Sequence, residues 1–154
     1  MKDFHFLTAP CGIDCFNCEF YEENLTEELK DRVAAFRGID PEQVVCRGCR
    51  DQKGCRLHFS ACATLDCVKL KNVKFCFECG EFPCPKLQPA SDGAARFPHN
   101  MKVYNLCRMK QIGVERWAIE ESKDIRDRYF HGTFIVGLGP VVDSQEDLKK
   151  NAQI

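Results

Sequence analysis

Apolar residues recur at helical spacing in four stretches of the chain. Over residues 26–37, Leu29, Val33 and Phe36 fall on one side of a helix. Asn24 with Glu27 supplies a capping-box pattern, and Gly38 a C-terminal stop. Asp40-Pro41-Glu42 reads as the first turn of a short helix leading to Cys46. Residues 60–71 predict a second helix carrying Cys62 and Cys67, whose five-residue offset is awkward for two ligands of one metal. One of that pair is expected to serve another site or to pack as a small apolar residue. Residues 101–111 place Val103, Leu106, Cys107 and Met109 or Lys110 at helical spacing. After the break at Gly113, Val114 to about Arg128 predicts a further helix with Trp117, Ala118 and Ile125 inward. These last two form a helical hairpin. Residues 133–136 and 141–142 are short β candidates, Gly137-Leu-Gly139-Pro140 reads as a turn, and 144–154 as a loose helix or tail.

The stretch between the first two helices is built differently. From Cys46 to Cys62 the only large apolar residues besides cysteine are Leu57 and Phe59. Such a segment cannot offset its chain entropy by burial and needs cross-links or metal. Eleven of the twelve cysteines lie between Cys11 and Cys84, in the runs Cys11-Cys15-Cys18, Cys46-Cys49-Cys55, Cys62-Cys67 and Cys76-Cys79-Cys84. Three of these contain a Cys-x2-Cys knuckle, whose gap lets both sulfurs reach one ion while backbone amides point at the first sulfur. Gly48 and Gly80 suit the tight turns. The expected fold is small and α-rich with minor β, its irregular cysteine-knuckle loops stabilised by metal, with the hairpin at the C-terminal end. Residues 1–88 form the metal-binding region, and 89–154 the hairpin and tail packed on it as one compact domain. Residues 88–93 read as a linker.

All eleven cysteines are candidate metal ligands: Cys11, Cys15, Cys18, Cys46, Cys49, Cys55, Cys62, Cys67, Cys76, Cys79 and Cys84. All-sulfur ligation points to structural zinc, with two or more ions, and leaves an iron–sulfur cluster as the alternative. Structural zinc contributes about 10–16 kcal/mol of apparent binding free energy, which becomes folding free energy. Cys46 and Cys49 are expected to join another knuckle or the 55–67 stretch. Cys76, Cys79 and Cys84 are expected to join a distant cysteine of the N-terminal triad. The Cys11-x3-Cys15-x2-Cys18 spacing also occurs in radical S-adenosylmethionine enzymes, but the chain lacks the length and strand–helix alternation of their barrel. Disulfides are the competing cross-link. The N-terminus has no apolar run long enough for a signal peptide, so a cytoplasmic, reducing location is expected, where such clusters read as metal sites.

Net charge is −1 over 154 residues. It is distributed as −6 over residues 1–45, +4 over 46–86 and +1 over 87–154. Four thiolates on one Zn²⁺ carry a net −2, so the basic middle reads as charge partners of sulfur rather than a phosphate-binding face. Nucleic-acid binding through Arg47, Arg50, Lys53 and Arg56 is therefore disfavoured, no membrane span is expected, and an unknown protein partner is left open. His5, His58, His99 and His131 form no nucleophile signature with any cysteine, and a non-enzymatic role is preferred. Cys107 is expected to be a buried, inert thiol. Phe16, Phe77 and Phe82 beside the knuckles either shield the sulfurs or mark a partner surface.

At these residues the chain resembles the prokaryotic domain-of-unknown-function 3795 family. The resemblance is carried by Cys11-Gly-Ile-Asp-Cys15-x2-Cys18, Cys46-x-Gly-Cys49, Cys62-Ala63 and Phe75-Cys76-x-Glu-Cys79-x-Glu-Phe-Pro-Cys84. It extends through Asn105-Leu106 and Ile112-Gly113-Val114-x2-Trp117, covering about residues 10–118. It implies zinc at the matching cysteines and no particular substrate. Many members end with another cysteine knuckle, where this chain has Tyr129-Phe-His-Gly132.

Overall fold

The computed structural model describes residues 2–55, 61–88, 100–135 and 139–141. Its helices run α1 (Phe4–Leu7), α2 (Glu27–Arg37), α3 (Cys49–Gln52), α4 (Ala63–Leu70), α5 (Met101–Ile112), α6 (Val114–Glu120) and α7 (Ser122–His131). Three 3₁₀ turns, Cys15–Asn17, Pro41–Gln43 and Cys76–Glu78, punctuate the first half. β1 (Thr133–Ile135) and β2 (Gly139–Val141) pair antiparallel, Thr133 opposite Val141. The α-rich class with a small β component is as the sequence predicts. The linker region, His58, His99 and the polar tail lie outside the described residues.

One apolar core draws on both halves. Leu106, Met109, Val114, Trp117 and Ala118 of α5 and α6 meet Phe16, Leu65, Val68, Phe75, Cys76 and Leu87. Trp117 and Leu106 are completely buried, and Phe16 sits edge-on to Phe4 and to Trp117. Burying aliphatic and aromatic side chains of this size stabilises by about 1.5–3 kcal/mol each. The cysteine-rich half therefore has its own apolar residues, but they come from the knuckle aromatics and α4, not from residues 46–55.

Local details depart from expectation in four places. The cap of α2 is Thr26, whose hydroxyl accepts from the Leu29 amide. Asn24 instead donates to the Phe16 and Cys18 carbonyls, clamping the first knuckle. On α2 only Ala34 is buried, and Phe36 is 89% exposed. The expected helix from Val114 onward is two helices, broken at Glu121. Ser122 Oγ donates back to the Ala118 carbonyl at 2.8 Å, competing with the regular ladder, while Arg108 grips the Glu121 carboxylate. Cys107 is exposed, because Met101, Asn105, Leu106 and Met109 form the buried stripe of α5.

Candidate metal centre

The first knuckle is a 3₁₀ turn in which the Cys18 amide donates to the Cys15 carbonyl at 3.0 Å. It meets the second knuckle through a parallel bridge, Tyr21 beside Cys46. There the Cys46 amide donates to the Phe20 carbonyl at 3.0 Å, and the Glu22 amide to the Cys46 carbonyl at 2.8 Å. The result is one sulfur set, Cys15, Cys18, Cys46 and Cys49. The Cys15 and Cys49 thiols hydrogen-bond each other, and Cys18 interacts electrostatically with both Cys15 and Cys46.

The third knuckle, 3₁₀ turn Cys76–Glu78, repeats the form of the first: the Cys79 amide donates to the Cys76 carbonyl at 3.1 Å. Glu78 fixes its entry by accepting from the Lys74 and Phe75 amides. The Cys76 amide donates to the Pro10 carbonyl at 3.0 Å, drawing this knuckle to the loop of Cys11. A cavity of about 240 Å³ is lined by Cys67, Cys76, Cys79 and Cys84, with Val68, Val73, Phe82, Pro85 and Leu87 as its apolar wall. These four cysteines make the second sulfur set.

The structure thus joins Cys46 and Cys49 to the first knuckle, one of the two partners open in the sequence. Cys76, Cys79 and Cys84 share their cavity with Cys67, while Cys11 of the N-terminal triad is also an electrostatic neighbour of Cys76. Cys62, at the cap of α4, is an electrostatic neighbour of Cys11 and is not among the residues lining the cavity of Cys67. Cys62 also approaches Gly54, next to Cys55. Among the described residues no trio of His, Cys, Asp or Glu side chains stands at preformed metal-ligand geometry. None of the eight sulfurs in the two sets is in a disulfide.

Backbone amides aim at the sulfurs in a repeated way. The Phe20 amide donates to Cys18, and the Glu81 amide to Cys79 at 3.4 Å, each two residues on and each to the second sulfur of its knuckle. In the middle knuckle the acceptor is the first sulfur, Cys46, at 3.4 Å from the Gly48 amide. Gly48 adopts φ +93°, a conformation L side chains rarely take. Cys15 accepts from the Cys49 amide. Amide donors of this kind favour anionic sulfur, whereas burial opposes it. Burial pushes the Cys11 thiol up to about 11 and the Cys76 thiol up to about 12. It also raises Cys18, and Cys15 rises through its hydrogen bond to Cys49 and burial. Clustered, buried thiols that resist ionisation one by one, yet receive amide donors, suit a divalent cation that displaces their protons together. The donor chemistry fits zinc or an iron–sulfur cluster.

Polar and charged residues around the knuckles support the sets. Asp14 is wholly buried between Cys11 and Cys15 and pairs with Arg126 of α7 at 3.1 Å. Asn17 bridges Asp14 and Ser122, at 3.0 and 2.9 Å. Arg50 donates to the Thr8 and Lys74 carbonyls, stacks on Phe75, and stands near Cys49, Cys15 and Cys11. Arg47 is ion-paired with Asp51. An aspartate set beside a cysteine in a short loop is a readable signal of such support; Arg126, more than a hundred residues away, has none. Phe16 is buried, Phe77 stacks on Phe75, and Phe82 walls the second set.

A family model described as "Protein of unknown function (DUF3795)" matches residues 7–89. No curated protein and no solved structure matches the chain. No helix among the described residues is long and apolar enough to cross a membrane.

Proposed function

We propose, from the premise that this chain belongs to the DUF3795 family, that it is a zinc protein with two structural four-cysteine sites. Cys15, Cys18, Cys46 and Cys49 would hold one ion, and Cys67, Cys76, Cys79 and Cys84 the other. The observation that carries this reading is the convergence of two knuckles in one sulfur set and of a third knuckle with Cys67 and Cys84 in the other, with amides directed at the sulfurs. Zinc would supply charge neutralisation and cross-linking, tying the loop of Cys15 to that of Cys46 and the end of α4 to the third knuckle.

On this reading the ions hold a surface in shape rather than act on a substrate, and the biological role is that of an interaction module in a reducing compartment. Arg50 and Arg126 would balance the first set's charge and Lys71 and Lys86 the second's, which supports the basic middle segment serving sulfur rather than phosphate. Elemental analysis with native mass spectrometry tests the reading. Two zinc ions per colourless chain is the expected result. A brown protein with iron and inorganic sulfide would replace zinc by a cluster, and a metal-free folded chain would overturn the proposal.

A further inference from the structure

The excursion from Phe20 to Cys46 is tied at its feet. The Tyr21–Cys46 bridge and the Glu22 amide on the Cys46 carbonyl join its two ends, beside the first and second knuckles. No residue between those ends belongs to the apolar core. α2 crosses the excursion and rests on the turn Pro41–Gln43. Its ends are well closed: Thr26 caps the start, and the left-handed Gly38 donates its amide to the Ala34 and Ala35 carbonyls. Its flank is open. Of its 11 residues only Ala34 is buried. Leu29 and Val33 are half-buried, and Phe36, two turns after Leu29, is 89% exposed. A helix this short is marginal in water and draws most of its stability from a covered face.

Charge along the same flank has a direction. Glu27 and Glu28 lead the helix, and Arg32 and Arg37 follow. Lys30 takes Glu27 and Glu42. Glu28 and Arg32 are exposed, and among the described residues neither is ion-paired within the chain. At helical pitch Leu29, Arg32 and Phe36 share one face, with Glu28 at its border. Two such helices side by side in parallel set like charge against like. Run antiparallel, they set the acidic start of each against the basic end of the other.

We infer that α2 is a docking surface for a second copy of this chain, the two α2 helices running antiparallel about a two-fold axis. Glu28 of each copy then stands beside Arg32 of the other, and Phe36 of each covers the start of the other's apolar stripe. The two-fold axis repeats every such pair. This names the face and the partner of the interaction module proposed above and rests on that reading. A helix of 11 residues is about 16 Å long. Two of them bury less than the roughly 1,200 Å² of a tight complex, so the dimer is weak, reversible and dependent on concentration.

Full-length protein, counted for metal as purified, is followed by sedimentation equilibrium from about 10 µM to about 1 mM. A monomer–dimer equilibrium within that range is the expected result. Phe36→Ser weakens it about tenfold or more, while Ile119→Ser, at a 72% exposed apolar position on α6, leaves it unchanged. Glu28→Arg and Arg32→Glu each weaken association alone. Their equimolar mixture regains the parent's affinity, because both cross-copy pairs are again of opposite charge. Circular-dichroism melts check that each variant is folded. A monomer throughout the range, association indifferent to Phe36→Ser, or a mixture no tighter than either charge variant alone would overturn the inference. A metal-loaded chain that stays monomeric defeats this inference alone. A folded chain without metal defeats the zinc reading, and the same variants still decide the association.

Discussion

Arg126 on α7 reaches across 112 positions of sequence to the buried carboxylate of Asp14, 3.1 Å away. The pair ties the C-terminal helix to the loop between Cys11 and Cys15. Arg126 also lies over the ring of Phe130, which holds the guanidinium in place. Removing the arginine leaves a charge with no cation at a fully buried position, and breaking buried pairs in this way costs about 3–5 kcal/mol. Arg126→Met should lose stability of that order in chemical denaturation. Adding Asp14→Asn should recover part of the loss, since the amide keeps the Asn17 contact without the charge. A double variant no better than Arg126→Met would show that the arginine acts through packing alone.

Gly12 lies where α5 presses on the cysteine loop. A Cβ there would stand 2.7 Å from the Lys102 carbonyl oxygen and 3.0 Å from Leu106 Cγ, and the residue holds φ +90°. Its carbonyl accepts from Asn105 Nδ2 at 2.8 Å. The obstructing oxygen belongs to helical backbone and cannot swing aside. Gly12→Ala should therefore cost about 2 kcal/mol or more, combining strain with displacement of α5. Gly38→Ala meets no neighbour and should cost less, through its left-handed backbone alone. Equal melting temperatures for the two variants would contradict this.

What could be read in advance follows from what is local. The period of apolar residues located α4, α5 and the start of α6, because each buries one face against a shared core. The knuckles were visible because two sulfurs on one turn are a sequence-local device. Their partners were not: Cys15 meets Cys49 through the Tyr21–Cys46 bridge, a pairing of strand-like residues too short to leave a pattern. The break at Glu121 was hidden for a similar reason, since a single Ser122 back-bond and one ion pair suffice to make it. Thr26 displaced Asn24 as cap because the asparagine was needed to clamp the knuckle, a tertiary demand that propensity does not register.

Arg108 hydrogen-bonds Glu121 at the bend between α6 and α7 and holds its carboxyl below the usual glutamate range. The folded chain thus gives up that proton more readily than the unfolded chain does. The stabilisation from the pair is complete above the ordinary glutamate value of 4.5 and is lost as pH falls through the depressed folded value. Glu121→Gln should melt below the parent at neutral pH, with the gap closing in acid. The site is partly exposed, so added salt should also narrow the gap. A gap that widens in acid would show that the bend does not depend on this charge.

The proposal of two four-cysteine zinc sites predicts two independent losses of metal. Cys15→Ser removes a donor from the first set and Cys76→Ser one from the second. Serine keeps the size of the side chain but is a far poorer ligand for zinc than a thiolate. Each variant should bind one ion fewer by native mass spectrometry, and chelation of the parent should remove both and abolish the cooperative melt. The consequences should differ in place. Cys15 lies beside the Asp14–Arg126 pair, so its loss should loosen α7 against the loop, read as faster amide exchange at Asn17 and Ile125. Cys76 is part of the apolar core with Phe75 and Leu87, so its loss should lower the melting temperature of the whole chain. A parent whose circular-dichroism melt is unchanged after complete metal removal would mean that the shared apolar core alone sustains the fold.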